Sequence, residues 1–314
     1  MAKKSSSIDE MNTTAEHKQP VIAICDLQPG EALPFPLFRN AGQHSDRWRE
    51  AGVPFSKEEL TRLRMDGLTV VYAVENHQGA WARFLNQRLH MSMTNSGAVE
   101  PRHLSTAMAA GRAIAQYTHY TPHAVDGPVM VARWLKYIEQ IIPNAPSLKS
   151  LWSSSRKQFF ADHAVNTAIL SFALGHEIQL GTQSCSMVAK AAFFHDLGEH
   201  VDTLGGDRDH PAASIGLLGI HGTCHPLVRE AILHHHERLD GSGGPLGLTG
   251  ADIGWSARLL AVVDVFDAAS CPSKQQKPTS ITGMEYLLAE RGNGLDLEMV
   301  NGLQEIYSRG RCAP

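Results

Sequence analysis

The run His234-His235-His236-Glu237-Arg238-Leu239-Asp240-Gly241-Ser242-Gly243-Gly244-Pro245 constrains this chain more than any other stretch. Packing does not call for three consecutive histidines beside an acid and a glycine-rich loop. Imidazole is the commonest metal ligand, and carboxylates suit the same ions. A second element lies upstream, where His195-Asp196-Leu197-Gly198-Glu199 closes the apolar run Val188–Phe194. The chain has 17 histidines, and ten of them fall between His163 and His236. These features make a metal-dependent hydrolase the leading expectation.

The bulk properties narrow the setting. A length of 314 residues suggests about two domains of roughly 150 residues each. A hydrophobic fraction of 43% supports packed cores rather than global disorder. The net charge of −4 carries no basic excess, so DNA binding is not expected. Cys25, Cys185, Cys224, Cys271 and Cys312 are dispersed and odd in number, which is not a disulfide framework and implies a reducing compartment. Residues 1–19 are polar and lack the apolar core of a signal peptide. No apolar run approaches ~18 residues, so a cytoplasmic protein without membrane contact is expected.

Along the chain, residues 1–19 read as a disordered tail. Val21–Cys25 is strand-like, Pro34–Phe38 is extended, and Leu68–Ala73 is a further strand. Between them Ser56 caps a helix with an acid three residues later, and Asp66-Gly67 should stop it. This gives a small α+β domain over 20–97, suited to regulation or interaction with a protein partner. Helical patterns follow at Ala80–Leu89, His103–Tyr117 and Val129–Ile142, so 98–149 reads as a helical connector. Pro143-Asn144-Ala145-Pro146 is the linker, and 150–314 reads as an all-helical domain able to fold by itself. Its helices are expected at Gln158–Leu174, Ser184–His195, Pro211–Leu218, Pro226–His236, Ile253–Ala269, Thr282–Glu290 and Leu297–Ser308.

Several polar residues sit awkwardly in these helices. Asp264 is surrounded by apolar neighbours, and a buried ionised carboxylate is costly unless it is paired or holds a metal. Asp267, three residues on, shares its face, while an arginine such as Arg258 is the alternative partner for Asp264. His163 lies among Phe159, Phe160 and Leu170 at helical spacing, where a lone histidine is more often a satisfied core residue than a ligand. The pair His195-Asp196 stands at a helix end, with Gly198 as the expected stop. His210 precedes Pro211 at a helix start, where a surface or capping histidine is the competing reading. Adjacent helical residues point about 100° apart, so His234, His235 and His236 should not all reach one ion.

The order His163, His195-Asp196, His210, His235-His236-Glu237, Asp240-Gly241, Gly243, Pro245, Asp264 resembles the HD-GYP subgroup of the HD phosphohydrolase superfamily, whose long motif reads H-H-E-x-x-D-G-x-G-Y-P. The resemblance covers about 158–270. It implies a helical fold, two or three metal ions, often iron or manganese, and hydrolysis of cyclic di-GMP. It further implies that His163, His195, Asp196 and Asp264 hold one ion, and that Asp196 bridges to a second held by His210, His235 and His236. Two cations ~3.5–4 Å apart can share a hydroxide nucleophile and clamp an in-line displacement at phosphorus, which places His195 and Asp196 at the chemistry. Glu237 and Asp240 are then expected to orient imidazoles or the Gly241–Gly244 loop.

The departures from the pattern bear on substrate. Glu199 stands where the family has a lysine, and Gly244 where it has a tyrosine. Ala269–Lys274 lacks the arginine and tyrosine of the family's nucleotide-gripping segment, and Phe159 replaces an acid used by three-metal members. The implied reading is a two-ion phosphodiesterase acting weakly on cyclic di-GMP or another phosphate ester. A degenerate member that binds metal or nucleotide and signals through protein contacts is the alternative. A phosphohydrolase for a different nucleotide is the third reading.

Overall fold

A computed structural model describes residues 21–39, 47–74, 77–94, 99–145, 147–148, 151, 159–199, 210–219, 224–270, 283–290 and 294–311. The expected tail, the loop before His210 and the segment Cys271–Lys274 lie outside the described residues. The chain divides into two compact units, Met1–Arg88 and Leu89–Pro314.

The first unit holds a four-stranded antiparallel sheet. Its strands are β1 (Val21–Ala23), β2 (Leu37–Phe38), β3 (Arg47–Arg49) and β4 (Val70–Tyr72), in the order β1-β4-β2-β3. The strand expected to reach Cys25 stops early, because Ile24–Asp26 curls into a 3-10 turn that buries Ile24. Strand β3, Arg-Trp-Arg, was not anticipated, since it carries no apolar alternation. The helix α1 (Lys57–Met65) starts as expected, with Ser56 Oγ accepting from the Glu59 amide at 3.0 Å. Ile22, Leu37 and Val71 on the sheet and Leu60 and Leu63 on the helix are buried. The helix α2 (Gln78–Thr94) carries the chain across the division between the units.

Among the described residues, the second unit is helical throughout. Its helices are α3 (Pro101–Tyr120), α4 (Gly127–Ile141), α5 (Phe159–Glu177), α6 (Thr182–Phe194), α7 (His210–Gly219), α8 (Pro226–His234), α9 (Trp255–Ser270), α10 (Gly283–Glu290) and α11 (Leu297–Arg311). The helix α5 is apolar nearly all round, with Ala161, Val165, Ala168, Ile169, Leu170, Phe172 and Leu174 buried. Such a helix must be surrounded, and α3, α6, α9 and α11 pack around it. Val131, Trp134, Leu135, Ile138 and Ile141 give α4 one apolar stripe, which it lays on α3 and α6. There the Trp134 ring meets Phe193 with centroids 5.5 Å apart, and its indole N–H donates to Ala107 O at 2.8 Å. Among the described residues no helix is long and apolar enough to cross a membrane.

Candidate metal centre

Three helix ends and two helix interiors bring the polar residues together. The interior of α5 supplies His163, and that of α9 supplies Asp264 and Asp267. The helix α6 ends at Phe194, so His195 is its capping residue and Asp196 lies beyond it, three and two residues before the expected stop at Gly198. Among the described residues the helix α7 runs from His210, one residue before the expected start at Pro211. The helix α8 ends at His234, two residues early, so His235 and His236 sit in the turn that follows, free of helical angular spacing.

The ligand-type atoms of three overlapping groups lie within 4.8 Å of one another: His163, His195, Asp264; His195, Asp196, His235; and His210, His235, His236. Asp196 joins the halves. Its Oδ1 is 3.1 Å from His195 Nε2 and 3.3 Å from His210 Nε2, and its Oδ2 is 3.4 Å from His163 Nε2. Asp264 Oδ1 lies 3.2 Å from His163 Nε2. The expected alternative for Asp264 is not taken up, since Arg258 pairs with Asp296 at 3.3 Å. His234 stands outside all three groups.

Three imidazoles point the same nitrogen inward. His163 Nδ1 donates to Asp267 Oδ2 at 2.6 Å, His195 Nδ1 to Ala192 O at 2.8 Å, and His235 Nδ1 to Ile232 O at 2.7 Å. Each leaves Nε2 aimed at the cluster, which is the arrangement of a metal-ligating histidine. His235 Nε2 is buried with no hydrogen-bond partner among the described residues. Two pairs of ring nitrogens face each other at 3.3 Å, His163 with His195 and His210 with His236. Mixed imidazole and carboxylate donors converging this way fit a transition-metal cation rather than calcium.

The electrostatics agree with that fit. Burial resists charging His195 and His163, but Asp196 and Asp264 outweigh it, raising His163 and pushing His195 up to about 10. Burial likewise opposes ionising Asp196 and Asp264, yet the same histidines hold both well below the carboxylate range. His235 is depressed by burial and by the neighbouring His236 and His195. Without a cation, protons on His163 and His195 balance the acids, and a cation can replace them.

Around the cluster, Glu237 is buried and accepts from the Leu246 amide at 2.6 Å and the Leu248 amide at 3.0 Å, so it braces the loop. Asp240 is exposed and accepts from Ser242 at the loop's tip, beside Gly241. Gly243 is obligatory, since a Cβ there would stand 2.4 Å from both Arg238 N and His236 O. Gly244 faces open space. Glu199 reaches solvent, yet surrounding protein and the charge on Asp196 push its carboxyl up to about 6. Two buried polar residues, Asn166 and Ser214, escaped the sequence reading, whereas Thr167 was already apparent there as a polar break in the apolar face around His163. Asn166 Nδ2 donates to Leu151 O at 2.8 Å and to Asp267 Oδ1 at 3.2 Å. Thr167 Oγ1 reaches Ala192 O across α5 and α6, and Ser214 holds the turn after α6. Asn166, three residues after His163, was detectable as a polar group on an otherwise apolar helix.

Comparison with known proteins places this geometry. The HD domain family matches residues 153–299. A probable cyclic di-GMP phosphodiesterase of Vibrio cholerae is 42% identical over 79 residues, covering 24% of this chain and 18% of that protein. The cyclic di-GMP phosphodiesterase response regulator RpfG of Xanthomonas campestris pv. campestris is 30% identical over 148 residues, covering 41% and 39%. The matched stretches thus span well under half of either relative. The solved structure of Bd1817, a HDG"Y"P protein from Bdellovibrio bacteriovorus, superposes with a TM-score of 0.68 at 16% identity, covering 92% of this chain and 99% of that one.

Proposed function

We propose that this chain, whose residues 153–299 match the HD domain family, is a metal-dependent phosphodiesterase of the HD-GYP type acting on cyclic di-GMP or a related phosphodiester, with weak turnover. The observation that carries this reading is the position of Asp196, whose Oδ1 lies between His195 Nε2 and His210 Nε2 at 3.1 and 3.3 Å. A carboxylate there can serve two cations at once. His163, His195 and Asp264 would hold one ion, iron or manganese, and His210, His235 and His236 the other. Bound together, two such ions supply the Lewis acidity and water activation that phosphodiester hydrolysis needs.

The protein's own groups prepare that centre. Asp267 and the Ala192 and Ile232 carbonyls hold three imidazoles in one tautomer. Glu237 keeps the loop backbone in place through two amides. Glu199 sets a negative group near Asp196, where an approaching phosphodiester would be repelled. That repulsion, with no side chain at Gly244, underlies the proposal of weak turnover. It also favours a second reading, a degenerate member that binds metal or nucleotide and acts through protein contacts made by the first unit.

The test is an assay of protein loaded with manganese or iron against cyclic di-GMP, linear pGpG and an aryl phosphodiester. Slow hydrolysis of cyclic di-GMP supports the first reading. Tight binding without hydrolysis supports the second. Selective turnover of another nucleotide rejects the proposed substrate.

A further inference from the structure

We propose that Ser214 is a positioning residue that keeps Asp196 in register with His210 and so ties the two halves of the metal centre together. The inference rests on the two-ion reading given above. Ser214 is fully buried on α7. Its hydroxyl donates to His195 O at 2.7 Å and accepts from the Gly198 amide at 2.8 Å. These backbone groups bracket Asp196, one residue before it and two after. Two further amides are satisfied within the turn, Leu197 N by Phe194 O and Glu199 N by Asp196 O. Among the described residues the Ser214 hydroxyl is what bonds the backbone of this turn to α7.

Ser214 lies four residues after His210, on the same face of α7. The bond that holds the Asp196 turn thus comes from the helix that presents His210. There is little slack between them. A Cβ at Gly198 would stand 2.5 Å from His210 O, 2.6 Å from Ser214 N and 2.7 Å from Ala213 Cβ. This backbone contact sets the separation of the two main chains from which Asp196 Oδ1 and His210 Nε2 reach each other at 3.3 Å.

Two variants perturb the contact in opposite ways. Ser214→Ala deletes both bonds, and Gly198→Ala drives a methyl group between turn and helix. The experiment is a stepwise manganese titration of metal-free, full-length protein, following free Mn2+ by electron paramagnetic resonance. Wild type is expected to take two ions. Each variant is expected to keep the first step near its wild-type affinity and to weaken the second by about tenfold or more, the range seen when groups supporting metal ligands are removed. Thermal unfolding with and without manganese separates positioning from mere stability: the metal-induced rise in Tm should shrink in the variants. Equal loss of Tm in both forms, with both binding steps unchanged, overturns the inference alone. Fewer than two ions in the wild type overturns the two-ion reading and the inference with it. Because one variant removes bonds and the other adds bulk, either one that folds decides the question.

Discussion

His163 donates from Nδ1 to Asp267 Oδ2 across 2.6 Å while its other nitrogen faces Asp264 Oδ1 at 3.2 Å. Two acids three residues apart on α9 therefore grip opposite edges of one imidazole. Asp267 is buried and fixes the ring, and Asp264 shares the cluster with it. Replacing Asp267 by Ala should lower metal affinity by about 10–100-fold without removing a ligand. Competition against a chelator measures this, and affinity equal to wild type would show that the Asp267 bond is unimportant.

Asp196 and His234 make a sharper contrast. Asp196 touches His163, His195 and His210, whereas His234 belongs to none of the three ligand groups. Asp196→Ala should lose most of the bound metal, and His234→Ala little. Elemental analysis after loading with iron or manganese gives the answer, and equal loss in both would contradict the assignment.

The pH response follows from the direction of the shifts. His163 and His195 are raised above their ordinary value of 6.5, His195 to about 10. In metal-free protein their pairing with Asp196 and Asp264 is fully present below 6.5 and is lost as pH rises toward about 10. Metal binding must displace those protons. Metal-free protein should therefore lose stability between pH 6.5 and 10, while metal affinity rises over the same range with proton release. Calorimetric titrations in buffers of different ionisation enthalpy count the protons, and pH-independent binding would be the contrary outcome.

The substrate side can be repaired. Gly244 has open space where a Cβ would go, and Glu199 reaches solvent near Asp196. The double variant Gly244→Tyr with Glu199→Lys should bind cyclic di-GMP more tightly or turn it over faster, since it adds a ring and reverses a charge. Comparing kcat/KM and Kd with wild type tests this. Efficient wild-type turnover with no gain in the variant would refute the proposed weakness.

Fragments test where the helical domain begins. A fragment of residues 150–314 keeps all the proposed ligands but lacks α3 and α4. Losing the Trp134 contact with Phe193 alone resembles a core truncation, about 3–5 kcal/mol. Residues 89–314 should therefore unfold cooperatively with a metal-dependent Tm, and 150–314 at a clearly lower temperature. Equal transitions would favour a boundary at Pro143–Pro146.

Local chemistry made much of this protein legible in its sequence. Ser56 capping α1, Pro211 just inside α7 and the apolar periods of α4 and α5 act within a few residues, so the chain alone determined those helices. The same holds for the histidines and acids, whose cost of burial marks them wherever they land. What only the tertiary structure decided is how they meet. That the turn after α6, which carries Asp196, is pinned at His195 O and Gly198 N depends on Ser214 and on the approach of α7, sixteen residues away. That Asp267 steadies His163 depends on α5 and α9 lying side by side across 104 residues of sequence. Strand β3 exists because β2 offers it a partner, not because Arg-Trp-Arg prefers a sheet. Contacts between distant segments leave no periodic trace in a sequence, since each partner reads locally as an ordinary polar or small residue.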